Sequence, residues 1–282
     1  MRLLILGGTG MAGHVLKEFF SAKSQYEVFW TQRHSLSDDP HCFFLDVTNT
    51  DELKKLLQQV KPDIVINATG ILNDAARQNL LQAIHVNSIL PHLLSDMSGD
   101  YQYYLIHIST DCVFSGSKGK YMETDAKDGS SAYAQTKSLG EVLDDQNLTI
   151  RTSIIGPELK DGIGLFHWFM NQKEQIRGFS NVFWNGLTTL ELAKAIEGLL
   201  ESRLTGLIHL TGNRFISKYE LLLLLNKIFA RGVAIIPDDH MRFDKSLVMT
   251  REDVPYQPIG YEQMLVELKQ WMDDRPYLYQ YE

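Results

Sequence analysis

Cysteine is scarce in this sequence. Cys42 and Cys112 are the only two in 282 residues, which leaves no disulfide framework and no cysteine-rich zinc site. Apolar runs of the ~18 residues needed to span a membrane are also missing. There is no basic excess: 27 Lys and Arg against 35 Asp and Glu give a net charge of -8. That balance argues against nucleic acid as a partner, because a phosphate backbone calls for a basic face. Internal repeats of about 20 to 50 residues and low-complexity tracts are absent. The N-terminal MRLLILGGTG has one basic residue and five apolar ones before its glycines; it is too short for a secretion signal and reads as a first strand. His14, His85, His107, His167 and His209 stand at no metal-ligand spacing, so they read as structural or exposed. These absences leave a cytoplasmic, metal-free protein as the expectation.

What is present is ordinary globular composition, 44% hydrophobic and 22% charged, in a chain long enough for a main domain and a smaller lobe. Short apolar runs alternate with amphipathic ones. Strands are expected at 3–6, 26–31, 63–69, 103–110 and 148–153. Helices are expected at 12–20, 51–60 (with Thr50 or Asp51 as cap), 75–94 and 132–145. Such alternation predicts βαβ crossovers and a parallel sheet covered on both faces. After Ser153 the rhythm changes. Residues 154–164 and 178–189 read as loops, 207–212 as a short strand. Helices are expected near 165–172, 190–201 (capped by Thr188 or Thr189), 217–229 and 261–272. The expected architecture is α/β: a doubly wound parallel sheet over 1–153 and a smaller, mainly substrate-binding lobe over 154–282. Segments such as 178–212 are expected to return to the first domain.

Between the first strand and first helix, LLILGGTGMAGH places glycines at 7, 8, 10 and 13. Both G-x-G-x-x-G and G-x-x-G-x-x-G fit. Glycine is needed there because the turn is tight, the backbone must approach a pyrophosphate, and the last glycine lets the helix lie on the strand. The helix N-terminus then offers N–H groups to the phosphates. A dinucleotide is therefore expected. The place of the usual ribose-binding acid, at the end of the second strand, reads FWTQRHS, without an acid from Val28 to Leu36. Arg33 instead suits a 2′-phosphate, so NADPH is expected, with NADH as the alternative. Asp46 is a candidate for the adenine amino group or a helix cap. NATG at 67–70 ends the third expected strand, where small residues permit close approach.

Thr110 ends the fourth expected strand, at the sheet edge where ligands of such folds bind. Tyr133 and Lys137 are four apart on one helix face. An ammonium beside a phenol favours tyrosinate and should lower the Tyr pKa, fitting Tyr133 as general acid to a ketone oxygen that Thr110 also hydrogen-bonds.

The combination resembles the extended short-chain dehydrogenase/reductases. STDCVFSG, YAQTKSLGE, IRTSIIGP and LIHLTG…SKYEL resemble the dTDP-4-dehydrorhamnose reductase family within it, over about residues 1 to 230. The resemblance implies a Rossmann domain with a small substrate lobe, and hydride transfer from NAD(P)H to C4 of a nucleotide-linked 4-keto-6-deoxy sugar. Thr110, Tyr133 and Lys137 would be its catalytic set. The cofactor would meet Gly7, Gly10, Met11, Ala12, Gly13, Arg33, Asp46, Val47, Ala68, Thr69, Gly70, Asn87, Tyr133 and Lys137. The substrate would meet Thr110, Asp111, Cys112, Tyr133, Asn181 and Trp184. Three departures stand out: Cys112 where the family commonly has Tyr, Ile154 where it often has Trp, and GILNDAARQN after the third strand. They surround the substrate rather than the hydride, and leave the sugar open. An epimerase on the same scaffold and a non-catalytic NADP-binding regulatory subunit are the alternatives. A homodimer is expected by analogy.

Overall fold

The computed structural model describes residues 1–33, 38–159, 162–279 and 281. Lys160 and Asp161, inside the stretch read as loop, and His34, Ser35 and Leu36, after the second expected strand, lie outside that set. In chain order the elements are β1 (Arg2–Leu6), α1 (Met11–Ser21), β2 (Glu27–Gln32), β3 (Cys42–Phe44), α2 (Thr50–Val60) and β4 (Ile64–Asn67). Next come α3 (Asn73–Gln78), α4 (Leu80–Ala83), a π-helical turn (Ile84–Ile89), α5 (Leu90–Tyr101) and β5 (Tyr104–Thr110). A 3₁₀ turn (Asp111–Val113), α6 (Ala132–Leu139), β6 (Leu148–Thr152), β7 (Ile154–Ile155) and α7 (Leu165–Met170) follow. The remainder is β8 (Ile176–Trp184), β9 (Leu187–Thr188), α8 (Thr189–Leu200), β10 (Gly206–His209), β11 (Ile216–Ser217), α9 (Lys218–Ile228), β12 (Ile235–Asp244) and α10 (Tyr261–Asp273).

Seven strands form one parallel sheet in the order β10-β6-β5-β4-β1-β2-β3. The central strands are apolar on both sides: Leu3 to Leu6 and Ile64 to Ile66 are fully buried, as a sheet sandwiched between helices requires. One face packs on α1, α8 and α10 through residues such as Val15, Leu16, Ile196 and Leu268. The other packs on α2 and α5 through Leu53, Leu57, Leu90 and Leu94. The strand order reverses between β1 and β4, and a cleft opens at their carboxyl ends, as the topology dictates.

A second sheet, β11-β8-β12, pairs β8 antiparallel with β11 and parallel with β12, with a register shift between Asp238 and Arg242. The loop expected over 178–189 is thus corrected to a strand. Its residues are mostly half-buried, so it lacks the apolar run that marks the central strands. The helix expected over 75–94 is broken instead. Asn79 leaves helical geometry and its side chain accepts the Gln82 N–H. The helix expected to reach residue 145 stops at Leu139 with Gly140 as its C-cap, and that position must be glycine because a Cβ there would lie 1.8 Å from the Asn87 carbonyl oxygen. The caps also differ. Asn49, not Thr50 or Asp51, caps α2 by accepting the Glu52 N–H at 3.2 Å.

Candidate functional site

The glycine loop turns between β1 and α1 with Gly7 at φ +83°, a conformation open to glycine and costly for other residues. A Cβ on Gly13 would sit 2.0 Å from the Gly7 carbonyl oxygen, so α1 can start this close to β1 only without a side chain. Gly10 is the N-cap of α1 and supplies no side-chain cap; the first turn holds no acid. By contrast, Asn49, Ser131, Thr188 and Ser217 cap α2, α6, α8 and α9 with side-chain oxygens. The leading N–H groups of α1 therefore face the cleft without a side-chain acceptor, which suits a bound anion.

A cavity of about 250 Å³ lies over this loop. It gathers Gly7, Gly10, Arg33, Asp46, Val47, Ala68, Thr69 and Gly70 from the expected set, together with Thr9, Thr31, Gln32, Leu45, Ile71 and Val86. Arg33 is exposed at the rim. The Asp46 carboxylate accepts the Thr48 N–H and hydroxyl at 3.0 and 2.7 Å. These bonds hold it below the usual carboxylate range, with Arg33 adding to the effect.

A second cavity of about 300 Å³ adjoins the first and shares Gly10, Ala68, Thr69 and Gly70 with it. It is lined by Met11, Ala12, Thr110, Asp111, Cys112, Tyr133, Lys137 and Ile154, among others. Thr110 closes β5. Its hydroxyl accepts the Cys112 N–H at 3.1 Å and donates to Asp111 at 3.2 Å. Ser131 caps α6 on the Ala134 N–H at 3.1 Å, and the helix then carries Tyr133 and Lys137 one turn apart toward the β5 end. Thr110 lies near enough to Tyr133 to act on its phenol. Lys137 is buried and donates to the Ile108 carbonyl at 2.8 Å. Burial draws its pKa down to about 8, against a smaller opposing pull from Glu141.

The expected lowering of the Tyr133 pKa is corrected. Burial first, then the nearby Cys112 and Asp111, push it up, because Lys137 is turned to Ile108 and His107 rather than to the phenol. A raised pKa keeps the phenol protonated at neutral pH, the state a proton donor needs. Burial likewise raises Cys112 to about 11, which keeps this thiol at the pocket wall neutral at pH 7.

Some expected residues are not brought to the cleft. Asn87 is fully buried behind it. Its amide bridges both backbone groups of Ile71 at 2.9 Å and the Thr136 hydroxyl at 3.0 Å, so it braces the loop after β4 against α6. Trp184 is buried, tilted against Tyr261 and covered by the Lys218 ammonium at 4.7 Å. Asn181 lies on β8 and donates to the Asp239 carbonyl at 3.3 Å. Sequence reading missed Lys218. It stands at the start of α9, where Asp111 and Cys112 feel its charge, and burial lowers its pKa to about 8. No local motif signals it, since about a hundred residues separate it from Asp111. Among the described residues, the one group with metal-ligand geometry is Asp238, Asp239 and His240, consecutive residues on β12.

The glycine loop at the point where the strand order reverses, with Thr, Tyr and Lys at the next strand edges, defines a Rossmann-type α/β protein of the extended short-chain dehydrogenase/reductase kind. The RmlD substrate binding domain model matches residues 1–235, and the chain belongs to that family. A dTDP-4-dehydrorhamnose reductase of Aggregatibacter actinomycetemcomitans is 31% identical over 158 residues, 54% of this chain and 51% of that protein. The chain thus spans about half the length of this curated relative. The solved structure of a hypothetical dTDP-4-dehydrorhamnose reductase from Sulfolobus tokodaii is 30% identical, with a TM-score of 0.76 over 88% of this chain and 92% of that one. The dTDP-4-dehydrorhamnose reductase of Bacillus anthracis, solved in complex with NADP, has a TM-score of 0.80 over 96% of this chain and 99% of that one. At 21% identity it speaks for the fold alone.

Proposed function

We propose that this protein is an NADPH-dependent reductase of a nucleotide-linked 4-keto-6-deoxy sugar. The observation that carries the reading is the shared wall of the two cavities: Gly10, Ala68, Thr69 and Gly70 border both the glycine-loop cleft and the pocket of Thr110, Tyr133 and Lys137. A dinucleotide laid on the uncapped start of α1 would end beside the phenol. The RmlD family membership and the reductase relative support the same reading.

NADPH supplies hydride when bound. The chain's own residues do the rest. The first N–H groups of α1 hold the diphosphate, and Arg33 takes the 2′-phosphate at the rim. Tyr133 gives its proton to the carbonyl oxygen as that oxygen gains charge, and Thr110 orients the same oxygen. The proton is available because burial keeps Tyr133 neutral. Lys218, whose charge reaches Asp111 and Cys112, is the candidate cation for the sugar's diphosphate.

The test is NADPH oxidation by the purified chain, followed optically, with dTDP-, GDP- and UDP-linked keto sugars in parallel. Turnover with the dTDP sugar supports the family substrate; turnover with another nucleotide keeps the chemistry and moves the substrate. Tyr133→Phe should lower turnover by about 10²–10⁴-fold while NADPH affinity stays within about threefold. Tight NADPH binding without turnover on any keto sugar would point to a regulatory subunit. A cofactor that stays bound through purification and is not consumed would point to an epimerase.

A further inference from the structure

β5 carries His107 into the interior, where it is fully buried. Its two ring nitrogens face different partners. Nδ1 lies 3.2 Å from Nδ2 of Asn67, and Nε2 lies 3.4 Å from Nζ of Lys137. The orientation of the Asn67 amide is settled by its other contacts. Its Oδ1 accepts the Thr69 backbone N–H at 3.2 Å and the Thr69 hydroxyl at 2.6 Å, so the NH₂ group faces His107 and donates. Nδ1 must then accept, and a neutral ring carries its one proton on Nε2. The ring is neutral, since burial, and after it the charge of Lys137, holds its pKa well below the ordinary value.

That Nε2–H points at Lys137. An ammonium has only N–H bonds to offer, so the pair would stand donor against donor. A neutral amine resolves the conflict. Its lone pair accepts from Nε2–H, while one of its own N–H bonds still reaches the Ile108 carbonyl. We infer that His107 is a positioning residue that biases Lys137 toward the uncharged amine, by holding an N–H against its Nζ.

The other charged groups around the pair do not undo this. Glu141, just beyond α6, favours the ammonium, but its carboxylate already accepts from Arg151 and pairs with Lys127 at 3.1 Å. His92 on α5 reaches His107 only through its charge. Asp111 and Cys112 act on Tyr133. Burial of Lys137 pulls the same way and draws its pKa down to about 8. The chain from Thr69 through Asn67 and His107 ties Lys137 to a residue lining both cavities. The inference rests on the reading of the Lys137 pocket as the reaction site, but its test needs no turnover and so fails or holds separately from the reductase assay.

The test uses the full chain with ring-¹⁵N histidine and ε-¹³C lysine. Long-range ¹H–¹⁵N spectra should show His107 protonated on Nε2 alone, and the Lys137 ε-carbon should titrate near pH 8. In His107→Phe, the Lys137 midpoint should rise by about one unit, roughly a tenfold gain in proton affinity. A wild-type ring protonated on Nδ1, or on both nitrogens, overturns the inference. So does an unchanged midpoint in a His107→Phe protein whose circular dichroism shows it folded. The tautomer is read on the unaltered protein, so a variant that failed to fold would not shield the inference from refutation.

Discussion

Arg33 illustrates what a single side chain decides. It is exposed at the rim of the glycine-loop cavity, and its charge reaches Asp46. An exposed guanidinium contributes little to stability, and the proposed function gives Arg33 the cofactor's 2′-phosphate instead. Arg33→Ala should weaken NADPH binding about tenfold, or ~1.4 kcal/mol, and leave NADH binding unchanged. Fluorescence titration with both cofactors checks this; equal losses for the two would mean that Arg33 does not read the 2′-phosphate. Arg33 was legible in the sequence because its signal is local: a strand end without an acid. Tyr133 and Lys137 were legible for the same reason, being four apart on one helix. Lys218 and the pair of Asn67 and His107 were not. Each acts across 30 to 110 residues of chain, and no spacing rule spans a contact that only the tertiary fold creates.

At the scale of the element, the glycine loop and α6 show two ways of fixing a site. The loop does it by leaving side chains out. Gly13→Ala would drive a Cβ into the Gly7 carbonyl at 2.0 Å, and since backbone must move, a loss of about 1–3 kcal/mol is expected together with most NADPH affinity; thermal melting and fluorescence titration read the two effects. The region behind α6 does it by saturation. Glu141 is buried and accepts from Arg151 through both carboxylate oxygens, at 2.6 and 2.8 Å, and from the Ser109 hydroxyl at 2.9 Å. Arg151 also donates to the Glu123 carbonyl at 3.1 Å. This network binds β5, β6 and the segment after α6 just behind Thr110. Glu141→Ala strands a buried guanidinium and should cost about 3–5 kcal/mol in urea unfolding; a loss below ~1 kcal/mol would show that water enters the site. Sequence reading caught neither the end of α6 at Gly140 nor β8. Gly140 is dictated by the Asn87 backbone, 53 residues away, and β8 is half-buried, so neither element carries its own period of hydrophobicity.

On the scale of the whole molecule, the tail closes back on the first helix. Tyr279 is buried, and its hydroxyl lies 3.0 Å from Nε2 of His14. Nδ1 of His14 lies 2.8 Å from the Gly10 carbonyl. A carbonyl only accepts, so Nδ1–H donates to Gly10 and Nε2 accepts the Tyr279 O–H. Residue 279 thereby steadies the glycine loop. Burial lowers the His14 pKa from 6.5 to about 4. The folded state binds fewer protons than the unfolded chain between those values. This contribution to stability is therefore fully present above pH 6.5 and is lost as pH falls toward 4, by about 3 kcal/mol in all. Urea midpoints should fall over that range, and His14→Gln, which cannot titrate, should flatten the slope. A slope unchanged by the substitution would assign the acid sensitivity to other groups. The parallel sheet itself was legible from the alternation of strands and helices. The small sheet was not, because β12 is too exposed to look like a strand.

The position of β10 has a consequence for how the protein is made. β10 covers the open side of β6, yet the two strands are separated by residues 153–205. A growing polypeptide therefore presents β6 as a bare hydrogen-bonding edge until that whole stretch has left the ribosome, on the order of several seconds at ordinary elongation rates. Any nascent chain stalled within the interval carries an adhesive strand. Early folding of the first half would bring no protection, and a chaperone that shields strand edges during synthesis would decide how much of the protein reaches its soluble form.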